Sequence, residues 1–263
     1  MNKKILIIII AVLFVVCSVS TFFFVRDKRE TEDNEKIYET AAEDFSAVEE
    51  TTEETTESEV NPYTVTSNSG EAQSNTDSMD SASNPDMVGW IKIDGTNIDY
   101  PVMQTKENPD YYLTHDFYKN ESVYGCPYVQ ANCDVNSPSD NVIIYGHHMN
   151  DGSMFAGLEN FRSKDFWKTH RKISFNTLDT KVSYEILAVF AISVDESDKD
   201  AFKFYEFVNA YDSQHFSDFV GKCKSLSFYD TGVTAKYGDK LLTLSTCEYT
   251  HENGRLVVVA KRK

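Results

Sequence analysis

From residue 87 onward the chain breaks into short β-type runs, and this segmentation constrains the fold more than any other feature. Residues 87–93 and 97–103 flank Asp94-Gly95, a hairpin signal. Further runs at 123–129, 141–145, 172–176, 182–194, 240–246 and 256–261 read as strands. Two stretches interrupt them with helical spacing. Residues 153–169 carry Met154, Phe155, Leu158, Phe161 and Phe166, and residues 203–227 carry Phe204, Phe207, Val208, Tyr211, Phe216, Phe219 and Val220. Eight strands with a long helix before the last two predict a mainly β fold, a closed barrel with helical insertions.

The 177 residues from Met87 can bury a core without staples, and the acidity lies mostly outside them. Residues 26–86 hold 18 acidic and 4 basic side chains, a net of −14, whereas residues 87–263 carry −5. A chain of net charge −17 with no basic stripe has no electrostatic footprint for nucleic acid. Five cysteines are too few for a disulfide framework.

Ahead of this domain, residues 5–25 are uncharged and strongly apolar. As a helix they span roughly 31 Å, about the hydrocarbon thickness of a bilayer. Phe22, Phe23 and Phe24 close the run where a cleaved signal peptide ends in small residues, so an uncleaved anchor over residues 1–26 is the preferred reading. Lysines and arginines flank both ends, and the charge rule alone leaves the orientation open. Residues 27–84 are rich in Glu, Ser and Thr, which predicts a disordered linker spanning on the order of 40 Å. The folded domain is expected over residues 85–263.

Three residues stand out chemically. Cys247 ends the apolar run LLTLSTC, and Arg255 opens the next strand after a seven-residue connection. In an antiparallel hairpin the two can fall opposite each other on one face. A cation there favours a thiolate or stabilises an oxyanion. His147 follows the run NVIIYG, whose Gly146 permits a bend that presents the imidazole at a strand end. His148 competes for the same role, because adjacent residues of an extended chain point oppositely. Ser245 and Thr246 precede the cysteine as candidate substrate contacts, with strand-end packing the alternative.

Taken together, strand–Gly–His, then Thr-Leu-Ser-Thr-Cys, then Arg resembles the sortase transpeptidases of Gram-positive cell surfaces. TLSTC fits the family's TLxTC signature, Gly146-His147 its catalytic histidine, and Arg255 in NGRLVVVAK its essential arginine. The helix-rich insert before the last two strands, with IIYGHHM and DGSMFAGLENF, is most like class B. The resemblance implies a sortase-type barrel and a cysteine transpeptidase with Cys247 as nucleophile, His147 as acid and base, and Arg255 holding substrate and oxyanion. It implies cleavage after threonine in a C-terminal sorting motif, of Asn-Pro-x-Thr type in class B. Its partners would be surface proteins bearing that motif and the cross-bridge amine of a peptidoglycan precursor. Such substrates place the catalytic domain outside a single-pass anchor. No cofactor is implied.

Papain-like peptidases carry their cysteine before their histidine, and L,D-transpeptidases usually place a Ser/His-Gly pair before the cysteine; neither matches. A tethered binding or adhesion module with an inert Cys247 is the reading from a different class. Asp94, Asp99 and Asp116 lack metal-ligand spacing, and no metal site is predicted. Glu248 and Glu252 read first as solvated loop carboxylates, with tuning of His147 or capture of an acceptor amine as the alternative. His170, His215 and His251 read as surface positions. Cys126 and Cys133 leave a disulfide open, and Cys223 reads as helix core.

Overall fold

The structure is a computed structural model that describes residues 3–54, 84–177, 180–195, 201–251 and 253–263. It divides into two compact units, residues 1–40 and 41–263. The first is helical, part of α1 (Lys3–Glu54). Among the described residues no helix is long and apolar enough to cross a membrane. The side chains of residues 1–12, which include the start of the predicted anchor, lie outside them.

Disorder is predicted from residue 27, but α1 continues to Glu54. The physical reason is local: no Gly or Pro occurs before Pro62, and Glu, Ala and Lys are good helix formers. Ion pairs one turn apart, Arg26–Glu30 at 3.3 Å and Lys28–Glu32 at 3.6 Å, support the helix. The remainder of the predicted linker, residues 55–83, lies outside the described residues.

In the second unit eight strands close a barrel: β1 (Met87–Lys92), β2 (Asp99–Met103), β3 (Tyr128–Val129), β4 (Asn141–Tyr145), β5 (Lys172–Asn176), β6 (Ser183–Ser193), β7 (Leu241–Glu248) and β8 (Gly254–Arg262). Their order around the barrel is β1-β2-β3-β4-β7-β8-β6-β5. The β2–β3 and β4–β7 pairings are parallel and the others antiparallel. The core is dense in aliphatic residues: Ile143 and Ile144 of β4, Leu242 and Leu244 of β7, and Val257 to Val259 of β8 are fully buried. Burying each such side chain stabilises the fold by about 1.5–3 kcal/mol.

Three predicted elements depart most from expectation. The run at 123–129 forms a strand only at Tyr128–Val129. Gly125 has φ 58°, and a Cβ there would lie 2.8 Å from the Leu113 carbonyl oxygen, so the preceding residues fold as a turn against the 310 turn Tyr111–Leu113. The helix expected over 153–169 splits into a 310 segment (Phe155–Arg162) and α2 (Lys164–Thr169), because Ser163 is extended and caps the second piece through Phe166 N–H. The helix expected over 203–227 splits likewise into a 310 turn (Phe204–Glu206) and α3 (Ser213–Leu226), where Asp212 accepts from His215 N–H.

Candidate active site

β7 and β8 are paired in register from Leu241↔Lys261 to Glu248↔Gly254, and this ladder sets Cys247 directly opposite Arg255. Cross-strand partners share a face, so the thiol and the guanidinium project on the same side. β4 lies on the other edge of β7, in parallel, with Tyr145↔Ser245 its last registered pair. Gly146 N–H extends that ladder to the Ser245 carbonyl at 3.2 Å. His147 therefore leaves the end of β4 beside the end of β7 that carries Cys247. A Cβ on Gly146 would lie 2.6 Å from the Phe155 ring, so only glycine allows this exit.

His147 Nε2 lies 2.7 Å from the Leu113 carbonyl oxygen. A carbonyl only accepts, so Nε2 carries a proton and the Leu113 carbonyl fixes the orientation of the ring. His148 takes a different place: its Nδ1 lies 3.1 Å from the carbonyl of Cys247. The two histidines thus serve opposite directions, as adjacent extended residues must.

Ser245 and Thr246 are both buried, and neither hydroxyl has a hydrogen-bond partner among the described residues. By alternation Ser245 shares the face of Cys247 and Thr246 the other. Of the two predicted substrate contacts, only Ser245 is on the thiol's side of the strand.

Two tyrosines complete the surroundings and escaped sequence reasoning. Tyr128 and Tyr145 are register partners across β3 and β4, with ring centroids 5.6 Å apart. Burial pushes the Tyr128 phenol up, and a hydrogen-bonded Asp110 adds to this, while Arg255 acts in the opposite sense. Burial also raises Tyr145, again opposed by Arg255. The Arg255 guanidinium therefore lies within electrostatic reach of both phenols, and it donates to the Gly254 carbonyl at 2.9 Å. No periodicity or motif marks Tyr128, because its place depends on pairing with β4.

Glu248 corrects an expectation. Read as a solvated loop carboxylate, it is 3% exposed and tied down at both oxygens. Arg162 Nη2 reaches Oε1 at 2.7 Å, Thr250 N–H donates to Oε1 at 2.9 Å, and His251 Nδ1 meets Oε2 at 2.8 Å. A Cβ on Gly254 would lie 2.6 Å from Oε2, so the carboxylate also fills the space that glycine leaves. Burial is the largest single influence and pushes the carboxyl up. The hydrogen bonds from Thr250 and His251 and the charge of Arg162 together outweigh it and hold the group at about 2, against an ordinary 4.5. The carboxylate closes the loop between Cys247 and Arg255. Glu252 lies outside the described residues.

The sign of that shift gives a prediction. A depressed carboxyl stabilises the fold at pH above its unfolded value, and the contribution is lost as pH falls from about 4.5 toward 2. Its size is on the order of 3 kcal/mol. Glu248→Gln should lower the melting temperature at pH 7 and flatten the loss of stability between pH 5 and 2.5. Parallel melting curves for the two proteins across that range would contradict the assignment.

The other singled-out side chains are structural. Cys126 and Cys133 are buried thiols that donate to different carbonyls, of Pro101 and Asn141, each at 3.5 Å. Burial pushes Cys133 up to about 11 and raises Cys223 as well. Asp116 accepts from the N–H groups of Tyr118 and Asn120, and Asp99 accepts from Trp90 Nε1. Among the described residues no group of three His, Cys, Asp or Glu side chains converges as metal ligands.

At adjoining strand ends the barrel presents a thiol, an arginine and an imidazole, the groups that cysteine acyl transfer requires. Comparison with known proteins names the family. The model of the sortase domain matches residues 91–263. The sortase B of Listeria monocytogenes is 40% identical over 182 residues, covering 68% of this chain and 70% of that protein. The sortase B of Staphylococcus aureus is 37% identical over 180 residues, with the same coverage. Among solved structures, a Staphylococcus aureus sortase B–substrate complex superposes with TM-score 0.71 at 26% identity, covering 89% of this chain and 98% of that one. The sortase B of Clostridium perfringens superposes with TM-score 0.61 at 31% identity, covering 68% and 95%. The chain belongs to the sortase family. Within it, the protein is a sortase B-type cysteine transpeptidase.

Proposed function

We propose that the enzyme cleaves a C-terminal sorting motif of Asn-Pro-x-Thr type after its threonine and joins the protein to a peptidoglycan cross-bridge amine. The observation that carries this reading is the register pair Cys247↔Arg255 beside the β4 end that bears His147. The Cys247 thiolate attacks the threonine carbonyl carbon, and the carbonyl π pair moves to oxygen. Arg255 faces that oxygen and offsets its charge with a pre-placed cation. As the tetrahedral centre collapses, the C–N bond breaks and protonated His147 gives its proton to the departing amine. The product is a thioacyl-enzyme. An incoming amine attacks it, His147 takes up the amine's proton, and the thiolate leaves. Water in place of the amine gives hydrolysis.

Ser245 lies on the thiol's face of the strand, its buried hydroxyl without a partner among the described residues, and is the candidate contact for the acyl group. Thr246, whose hydroxyl also has no partner among the described residues, faces the other side of the strand. Residues 5–25 would anchor the chain once across the membrane with its N-terminus inside, and the catalytic domain would lie at the cell surface, where sorting substrates and wall precursors meet.

The test is a peptide panel with the full chain in detergent, comparing Asn-Pro-x-Thr and Leu-Pro-x-Thr-Gly sequences with and without triglycine. The expected result is cleavage after threonine, preferentially of the first type, with an acyl adduct on Cys247 in intact-protein mass spectra and an amide product when triglycine is present. Cleavage at another bond, or none with any peptide, would overturn the proposal.

A further inference from the structure

We infer that His148 is a positioning residue, whose imidazole replaces a missing backbone rung and holds the nucleophile's carbonyl in place. This rests on the reading of Cys247 as nucleophile. A parallel ladder places its slanted, evenly spaced bonds at every second residue. From Gly146 N–H to the Ser245 carbonyl, the next such rung runs from the backbone N–H of residue 148 to the carbonyl of residue 247. Here the carbonyl of Cys247 accepts from the side chain of His148, Nδ1 to O at 3.1 Å.

The substitution has a structural cause. At His147 the chain turns away from β7, and its carbonyl accepts from Phe155 N–H at 2.8 Å. His148 bridges to Met154 on that side. The imidazole spans the gap that this departure opens. The loop after Cys247 closes the arrangement from the opposite direction: the Tyr249 hydroxyl donates to the His148 carbonyl at 3.2 Å, and the two rings meet edge to face with centroids 5.2 Å apart. Residues 247 and 249 are thereby tied to residue 148, next to the candidate acid–base His147.

The tie has a definite tautomer. The Cys247 carbonyl is an acceptor only, so Nδ1 of His148 carries hydrogen and Nε2 does not in the neutral ring. Without the tie, the thiol and His147 are no longer held to one separation. Displacements on the order of 1 Å cost about 100-fold in rate. The role therefore falls on turnover and spares binding.

The experiment compares His148→Phe, which keeps a ring and lacks the donor, with His148→Asn, whose amide nitrogen falls near the place of Nδ1. In the peptide assay, His148→Phe should lower kcat by about 10- to 100-fold with KM within about twofold of the parent. His148→Asn should recover most of kcat. A phenylalanine variant as fast as the parent, or an asparagine variant as slow as phenylalanine, would overturn the inference. If His148→Phe does not fold, nitrogen NMR of the unaltered, histidine-labelled protein decides: a neutral His148 ring protonated on Nδ1 supports the tie, and one protonated on Nε2 refutes it. A parent enzyme that cleaves no peptide fails at Cys247 and takes both readings with it, whereas an active parent with indifferent variants removes the role of His148 alone.

Discussion

Cys247→Ala is expected to reduce peptide cleavage by at least about 10,000-fold while leaving the melting temperature within a few degrees of the parent. The expected rate effect is large because the proposed mechanism places the covalent intermediate on this residue. Cys126, Cys133 and Cys223 are buried; the first two donate to backbone carbonyls and burial raises the third, so none can act as a substitute thiol. The stability effect is small because the Cys247 side chain is partly exposed at a strand end. Cleavage assays and thermal melts of the two proteins test both halves. Residual cleavage above about one per cent of the parent rate would remove Cys247 from the nucleophile's role.

Arg255→Ala should lower kcat by about 100- to 1,000-fold, the loss typical of one pre-placed oxyanion donor. It stands opposite Cys247 in the β7–β8 ladder, and no second Arg or Lys is paired with residues 245–247 there. Arg255→Lys keeps the charge and loses the planar fork, so it should fall between the parent and the alanine variant. Its deficit should appear mainly in the rate of acyl-enzyme formation, measured in single-turnover experiments without amine. Equal rates for parent and alanine variants would assign the oxyanion to other donors.

How far the sequence alone reaches depends on the range of the forces involved. β4 and β5 are read to the residue because each is a short run bounded by a bend or turn signal. The pairing of Cys247 with Arg255 is legible too, since a hairpin brings together residues close in sequence. Helix breaks at Ser163 and Asp212 are harder, because apolar spacing runs straight across them and only the caps interrupt it. Over residues 27–54 two local signals conflict: like charge argues for disorder, and the lack of Gly and Pro argues for helix. The burial of Glu248 and the place of Tyr128 are not legible at all. The carboxylate is buried because Arg162 arrives from 86 positions away, and the phenol is placed by a strand pairing with β4.

The parallel pairing of β4 with β7 has a consequence for how activity is acquired. Every registered pair in it joins residues 100 positions apart, from Asn141↔Leu241 to Tyr145↔Ser245. Contacts of such long range form slowly, because a large loop must close before any of them contributes. During synthesis the histidine strand emerges well before its partner exists. The thiol of Cys247 and the imidazole of His147 therefore come together only once this long-range seam has formed.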